Sequence, residues 1–150
     1  MSYRPIYTLK ELQEYLSGAT IVAFDFETAP DEKYRREDKA ALDAHKSHIV
    51  GISFSMSEGS GVYLPIAHRL GENAADLPGI WEWLSGFFVS PAVTKIAHNL
   101  AFESAFLYAS IAFIFGKPSP STDAINATPC LSIKLPMVCS GFLIIFHQSP

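Results

Sequence analysis

Hydrophobic positions change their spacing several times along this chain, and each change marks an element. Leu9, Leu12 and Leu16 recur at helical spacing behind Thr8-Leu9-Lys10-Glu11. That tetrad is a capping box: the Thr8 hydroxyl can accept the Glu11 amide proton while the Glu11 side chain reaches back, and Gly18 can close the helix. Ile21-Val22-Ala23-Phe24-Asp25-Phe26-Glu27 is short and β-rich and predicts a central strand. Residues 29–47 are polar and charged, a long connection with room for a mobile turn or a short helix. His48–Ser55 predicts a second strand, Ser57-Glu58-Gly59-Ser60-Gly61 a hairpin turn, and Val62–Ile66 a third strand, together an antiparallel meander.

The pattern then alternates between helix and strand. Asp76 can cap a helix with Pro78 in its first turn and an apolar face of Ile80, Trp81, Leu84, Phe87 and Phe88. Trp81 and Trp83 read as anchors of that helix. Val93–Ala97 predicts a short buried strand, Asn99 the cap of a helix over Leu100–Ala109, and Ile111–Phe115 a fifth strand. Lys117–Ser121 reads as a Pro/Ser loop, and Ala124–Lys134 as a helix weakened by Pro129. Three strands followed by αβαβ predict an α/β fold with a mixed five-stranded sheet flanked by helices.

The last third is unusual. Beyond Glu103 the only charged residues are Lys117, Asp123 and Lys134, and Gly141–Phe146 is wholly apolar. A surface helix carries more charge than this. Residues 135–150 are therefore set apart as an atypical tail behind a domain over residues 1–134, and the tail does not read as the natural end of a domain.

Composition narrows the function classes. The chain of 150 residues is 49% hydrophobic and only 17% charged, enough for one core and too apolar for general disorder. A net charge of −4 argues against a basic nucleic-acid coat but leaves room for a site that grips phosphates through bound cations. Cys130 and Cys139 form neither a disulfide framework nor a zinc spacing and read as reduced thiols of a cytoplasmic protein. The polar N-terminus has no signal-peptide core, and the longest apolar run, Ala105–Phe115, is too short to span a membrane.

Two groups of residues carry candidate chemistry. Side chains alternate along a strand, so Asp25 and Glu27 share one face, about 7 Å apart at Cα, within reach of one cation. Two adjacent carboxylates in an apolar strand need a partner. A divalent ion with hard oxygen ligands such as Mg²⁺ or Mn²⁺ is one candidate, and solvent or an unseen Lys at a strand end is the other. The second group is Lys95-Ile96-Ala97-His98-Asn99-Leu100-Ala101-Phe102-Glu103, where a strand runs into a helix with Glu103 in its first turns. Taken alone, Glu103 reads as an ordinary first-turn acid, His98 as a structural histidine and Asn99 as a cap.

In combination they are more specific. Phe24-Asp25-Phe26-Glu27-Thr28 resembles the first motif of the DEDD exonuclease superfamily. Ala97-His98-Asn99-Leu100-Ala101-Phe102-Glu103 resembles the second, with Glu where the family has Asp. His48–Ser55 and Val62–Arg69 are similar to the second and third strands of the proofreading domain of family A DNA polymerases. The resemblance covers roughly 21–134, and Asp123-Ala124-Ile125 sits where that family often has Asp-Thr.

The resemblance implies an RNase H-like fold and a 3′-5′ exonuclease that hydrolyses the 3′ end of single-stranded DNA with two divalent ions, Mg²⁺ or Mn²⁺. It implies Asp25, Glu27 and Glu103 as catalytic metal ligands and Thr28, His98 and Asn99 as substrate-side residues. A polymerase domain is the expected partner in a longer relative. The family's third motif, Tyr-x-x-x-Asp or His-x-x-x-Asp, has no counterpart, because no Asp or Glu follows Asp123. A C-terminally truncated chain with weakened metal binding is the resulting expectation. The rival readings are a non-catalytic remnant that binds metal or single strands weakly or nothing, and an interaction module whose apolar tail docks on a partner or on a copy of itself. The basic run Lys33-Tyr34-Arg35-Arg36 with Lys39 reads as a solvated loop among acids. Tyr63 reads as structural, and His68 and Arg69 carry no assigned role.

Overall fold

The structure, a computed structural model, describes residues 2–114 and 142–144. Six strands form one mixed sheet: β1 (Ser2–Pro5), β2 (Ile21–Pro30), β3 (Ser47–Ser57), β4 (Ser60–Pro65), β5 (Thr94–Ala97) and β6 (Phe142–Ile144), in the spatial order β1-β4-β3-β2-β5-β6. Among the described residues three α-helices accompany them: α1 (Leu9–Leu16), α2 (Leu77–Val89) and α3 (Leu100–Ile114). β2, β3 and β4 pair antiparallel, while β5 joins β2 and β6 joins β5 in parallel. The meander followed by αβαβ is the RNase H-like arrangement expected from the sequence.

Local chemistry explains why the elements begin and end where they do. The α1 capping box forms: Glu11 N–H donates to Thr8 Oγ1 at 3.2 Å, and Glu11 Oε2 accepts the Thr8 amide at 3.1 Å. Gly18, at φ +73, takes the left-handed turn that ends the helix. Asp76 caps α2 by accepting the Gly79 amide, with Pro78 in the first turn. The long connection after β2 contains two short 3₁₀ turns, Glu32–Tyr34 and Ala40–Leu42.

Alternation along β2 places Val22, Phe24 and Phe26 in the core with Ile52, Phe54, Val62 and Leu64 from its neighbours. α2 covers this face. Phe88 meets Phe24 edge-on at 4.9 Å between centroids, and Phe87 meets Phe54 at 6.3 Å. Trp81 is buried and Trp83 stacks on Phe87, which accords with their reading as anchors. Lys95, only 1% exposed, enters the core from β5, donates to the Ser90 carbonyl at the end of α2 and lies 5.3 Å from the Phe87 ring centroid.

One sequence expectation needs correction, and two strands had not been predicted. Ile111–Phe115 was expected to form the fifth strand, but α3 continues unbroken from Leu100 to Ile114, and Phe115 lies outside the described residues. An almost uniformly apolar run hides the period that separates helix from strand. Extending an existing helix is also cheaper than starting a new element. The last strand of the αβαβ order is instead Phe142–Ile144, within the apolar tail, in register with Lys95, Ile96 and Ala97. The edge strand β1, parallel to β4, had no sequence signal strong enough to predict it. The expected loop at Lys117–Ser121, the helix at Ala124–Lys134 and both cysteines lie outside the described residues. Among the described residues, no helix is long and apolar enough to cross a membrane.

Candidate active site

The site begins with the alternation of β2. Opposite the buried phenylalanines, Ala23, Asp25 and Glu27 face outward and are exposed. Asp25 lies across from Ser53, and Glu27 across from Gly51. Just past Glu27 the pairing slips: Glu27 faces Gly51 but Thr28 faces Ile49, so Val50 is an extra residue and a β-bulge bends the sheet at the acidic pair. The Val50 carbonyl accepts the amides of Ile66 and Ala67 at 2.8 and 3.0 Å.

Glu103 arrives from the other side. β5 pairs with β2 along Ile21–Ala23, so among the described residues the Phe26 amide further along β2 has no strand partner on that side. The Phe26 N–H donates instead to Glu103 Oε2 at 3.1 Å. Asn99 sets the start of α3. Its side-chain oxygen accepts the Phe102 amide at 3.3 Å, and its carbonyl accepts the Glu103 amide at 3.0 Å. One turn into the helix, the Glu103 carboxyl is thereby carried to the β2 backbone, where it is 2% exposed.

Burial pushes the Glu103 carboxyl up to about 8. The charge of Asp25, a hydrogen bond shared with Asp25 and the charge of Glu27 push the same way, and the Phe26 amide pulls against them. A carboxyl so placed sits close to two others. Among the described residues, no Lys or Arg forms an ion pair with any of the three. Nor do three acidic, His or Cys side chains stand there as a ready-made metal cage, since Asp25 and Glu27 reach into solvent while Glu103 is inside. The donor set is all carboxylate oxygen, held with like-charge stress that a hard divalent cation would relieve, so these residues fit such an ion.

The other sequence candidates take varied positions. His98 is exposed and lines a cavity of about 770 Å³ together with Asp25, Ser53 and Tyr63. Asn99 is exposed beside it. Thr28 donates its hydroxyl proton to the Ala41 carbonyl at 2.7 Å, tying the long connection to β2. The basic run stays in that connection: Arg35 pairs with Glu32 at 3.0 Å, and Lys33 lies over its neighbour Tyr34. Sequence reasoning missed the Tyr63 hydroxyl, which is 2.6 Å from His68 Nε2. Gly51, opposite Glu27, was the available signal, because a residue without a side chain beside a carboxylate leaves space for a neighbour.

Comparison with known proteins identifies the family. Residues 3–128 match the 3′-5′ exonuclease family. Sixty residues are 37% identical to DNA polymerase I of Pseudomonas aeruginosa, covering 40% of this chain and 5% of that protein. Ninety residues are 36% identical to a DNA-directed DNA polymerase of Pseudomonas phage M6, covering 60% of this chain and 13% of that one. The chain thus spans a small part of the polymerases it matches. Among solved structures, a chain from the yeast NOT1 MIF4G domain co-crystallised with CAF1 superposes with a TM-score of 0.51 at 15% identity. The match covers 79% of this chain and 61% of that one and is a likeness of fold.

Proposed function

We propose a specific reaction for this chain, which belongs to the 3′-5′ exonuclease family: hydrolysis of the last phosphodiester at the 3′ end of a single DNA strand. The observation that carries the reading is the Glu103 carboxyl, buried against the Phe26 amide and electrostatically coupled to Asp25 and Glu27. Glu103, buried, feels the charges of Asp25 and Glu27 on the exposed face of β2, and among the described residues no Lys or Arg forms an ion pair with any of the three.

Asp25, Glu27 and Glu103 are the residues that would hold divalent cations, Mg²⁺ or Mn²⁺. Asp25 would be shared between two ions, Glu27 would stand on the side of the arriving water and Glu103 would support the second ion. Bound there, the cations would supply positive charge for the phosphoryl oxygens and the departing 3′ oxygen. In the overall reaction, the water oxygen bonds to phosphorus, the bond from phosphorus to the 3′ oxygen breaks, and a proton ends on that oxygen. The products are a nucleoside 5′-monophosphate and a strand one nucleotide shorter. Glu103, fixed by a backbone hydrogen bond and by burial, is the rigid member of the set. His98 and Asn99, exposed at the end of β5, would orient the terminal nucleotide, and Thr28 would contribute beside Glu27. Contacts of this kind fall on backbone and base faces, so little sequence preference follows.

The test is a 5′-labelled single-stranded oligonucleotide incubated with Mn²⁺ and either the native chain or Asp25→Ala. A ladder shortening one nucleotide at a time for the native chain alone is expected. The same trace from both proteins would overturn the reading. A second reading is cation binding without turnover, supported by the separation of buried Glu103 from Asp25 and Glu27, which reach into solvent. Calorimetric Mn²⁺ binding with no ladder would select it.

A further inference from the structure

Tyr63 and His68 form a fixed pair beside Glu27. On β4, Tyr63 lies across from Ser53, yet its hydroxyl leans diagonally over Gly51. A Cβ built on Gly51 would lie 1.8 Å from that oxygen, so the phenol occupies the place of the side chain that Gly51 lacks. Gly51 is also the register partner of Glu27. Directly opposed residues of an antiparallel pair hold their Cβ atoms about 5 Å apart on the same face. The Tyr63 hydroxyl therefore fills the cross-strand position next to Glu27. The charge of Glu27 reaches it, adding to burial in pushing the phenol up from its ordinary range.

The pair is clamped from behind. His68 Nε2 is 2.6 Å from the Tyr63 hydroxyl. Both backbone groups of His68 are held by one side chain: its amide donates to Asn73 Oδ1 at 2.8 Å, and its carbonyl accepts from Asn73 Nδ2 at 2.9 Å. The two residues before it, Ile66 and Ala67, donate their amides to the Val50 carbonyl, the extra residue of the bulge at Glu27. Thus the strand distortion at the acidic pair and the placement of His68 share one anchor. Tyr63 itself is only half-buried and lines the same cavity as Asp25 and His98. A pair whose role was only to close the sheet would have no need of an open cavity or of a glycine opposite an acid.

We propose that Tyr63, held by His68 across Gly51, is a positioning residue for Glu27. In the tautomer that carries its proton on Nε2, His68 donates to the Tyr63 oxygen, which leaves the phenol O–H to be donated toward the Glu27 carboxylate. The proposal deepens the exonuclease reading and rests on it for the use made of Glu27. Hydrogen bonds to a ligating carboxylate fix its orientation, and losing such a partner lowers metal affinity about 10- to 100-fold.

The experiment uses the full chain in two measurements. In the metal-free protein, the carboxyl carbon resonance of Glu27 is followed by NMR in the native chain, Tyr63→Phe, His68→Ala and the remote control Tyr15→Phe. Mn²⁺ affinity is then measured calorimetrically on the same proteins, with Asp25→Ala alongside. The expected result is a displaced Glu27 resonance in Tyr63→Phe and His68→Ala but not in Tyr15→Phe, with Mn²⁺ held about 10- to 100-fold more weakly. Gly51→Ala, whose new methyl evicts the hydroxyl, should reproduce the Tyr63→Phe spectrum. An unmoved Glu27 resonance in Tyr63→Phe overturns the proposal, even if the melting temperature falls. If the native chain and Asp25→Ala bind Mn²⁺ alike, the cation reading fails instead, and the metal-free spectra still decide the role of Tyr63.

Discussion

The Glu103 carboxyl accepts the backbone N–H of Phe26 at 3.1 Å, across 77 positions of sequence. That single bond fills the donor left open where β5 stops pairing with β2. It also holds a buried carboxyl close enough to Asp25 and Glu27 to feel their charge. The stability and the chemistry of the site are consequently one problem, and its consequences can be measured.

Replacing Glu103 with Gln keeps the acceptor for Phe26 and removes the charge. In the absence of divalent ions, Glu103→Gln should melt at the same or a higher temperature than the native chain at pH 9, because an uncompensated buried charge has been removed. Stabilisation by added Mn²⁺ should shrink sharply, and any nuclease activity should fall at least about 10-fold. Thermal melts with and without Mn²⁺ check both statements. A lower melting temperature without metal would contradict the like-charge account.

Protons and metal should compete at this site. With the Glu103 carboxyl raised to about 8 from an ordinary 4.5, the folded chain binds more protons than the unfolded one between those values. Its metal-free stability is therefore fullest below about 4.5 and is lost as pH rises toward about 8, then levels off. Denaturant melts in chelator across this range should show the decline, to be read as the Glu103 contribution by difference from Glu103→Gln.

The same protonation predicts a proton count. Mn²⁺ binding at pH 6.5 should release about one proton from Glu103, and at pH 9.5 almost none. Calorimetry in two buffers of different ionisation enthalpy separates this release from binding itself. A count that did not change with pH would mean that Glu103 is not part of the cation site.

The aromatic contact behind the acidic strand carries much of the stability. Phe88 is 3% exposed and touches both Phe24 and Phe26, at 4.9 and 6.0 Å between centroids. Phe88→Ala should cost about 3–5 kcal/mol in chemical denaturation. By loosening Phe26, whose amide holds Glu103, it should also weaken Mn²⁺ binding. By contrast, Thr8→Ala should cost only about 1 kcal/mol through the lost cap of α1, with no effect on the metal site.

Much of this protein was readable one element at a time. Period two over Ile21–Glu27 set Phe24 and Phe26 against Asp25 and Glu27 because a strand must turn successive side chains to opposite faces. The capping residues Thr8, Asp76 and Asn99 announced three helices because each has a side-chain oxygen for an orphan amide. Where the local pattern loses its contrast, in the apolar stretch after Glu103, periodicity reads Ile111–Phe115 as a strand, whereas Ile111–Ile114 continue α3. That Glu103 comes to lie against β2 beside Asp25 was suggested by motif resemblance but by no local rule. Its depth, and hence its proton affinity, depends on β5 ending its pairing at Ala23. The bulge at Val50 and the reach of Tyr63 across Gly51 toward Glu27 were decided by the tertiary structure alone. Periodicity and caps act over a few neighbouring residues, whereas register, burial and an unfilled hydrogen bond exist only once distant strands have met.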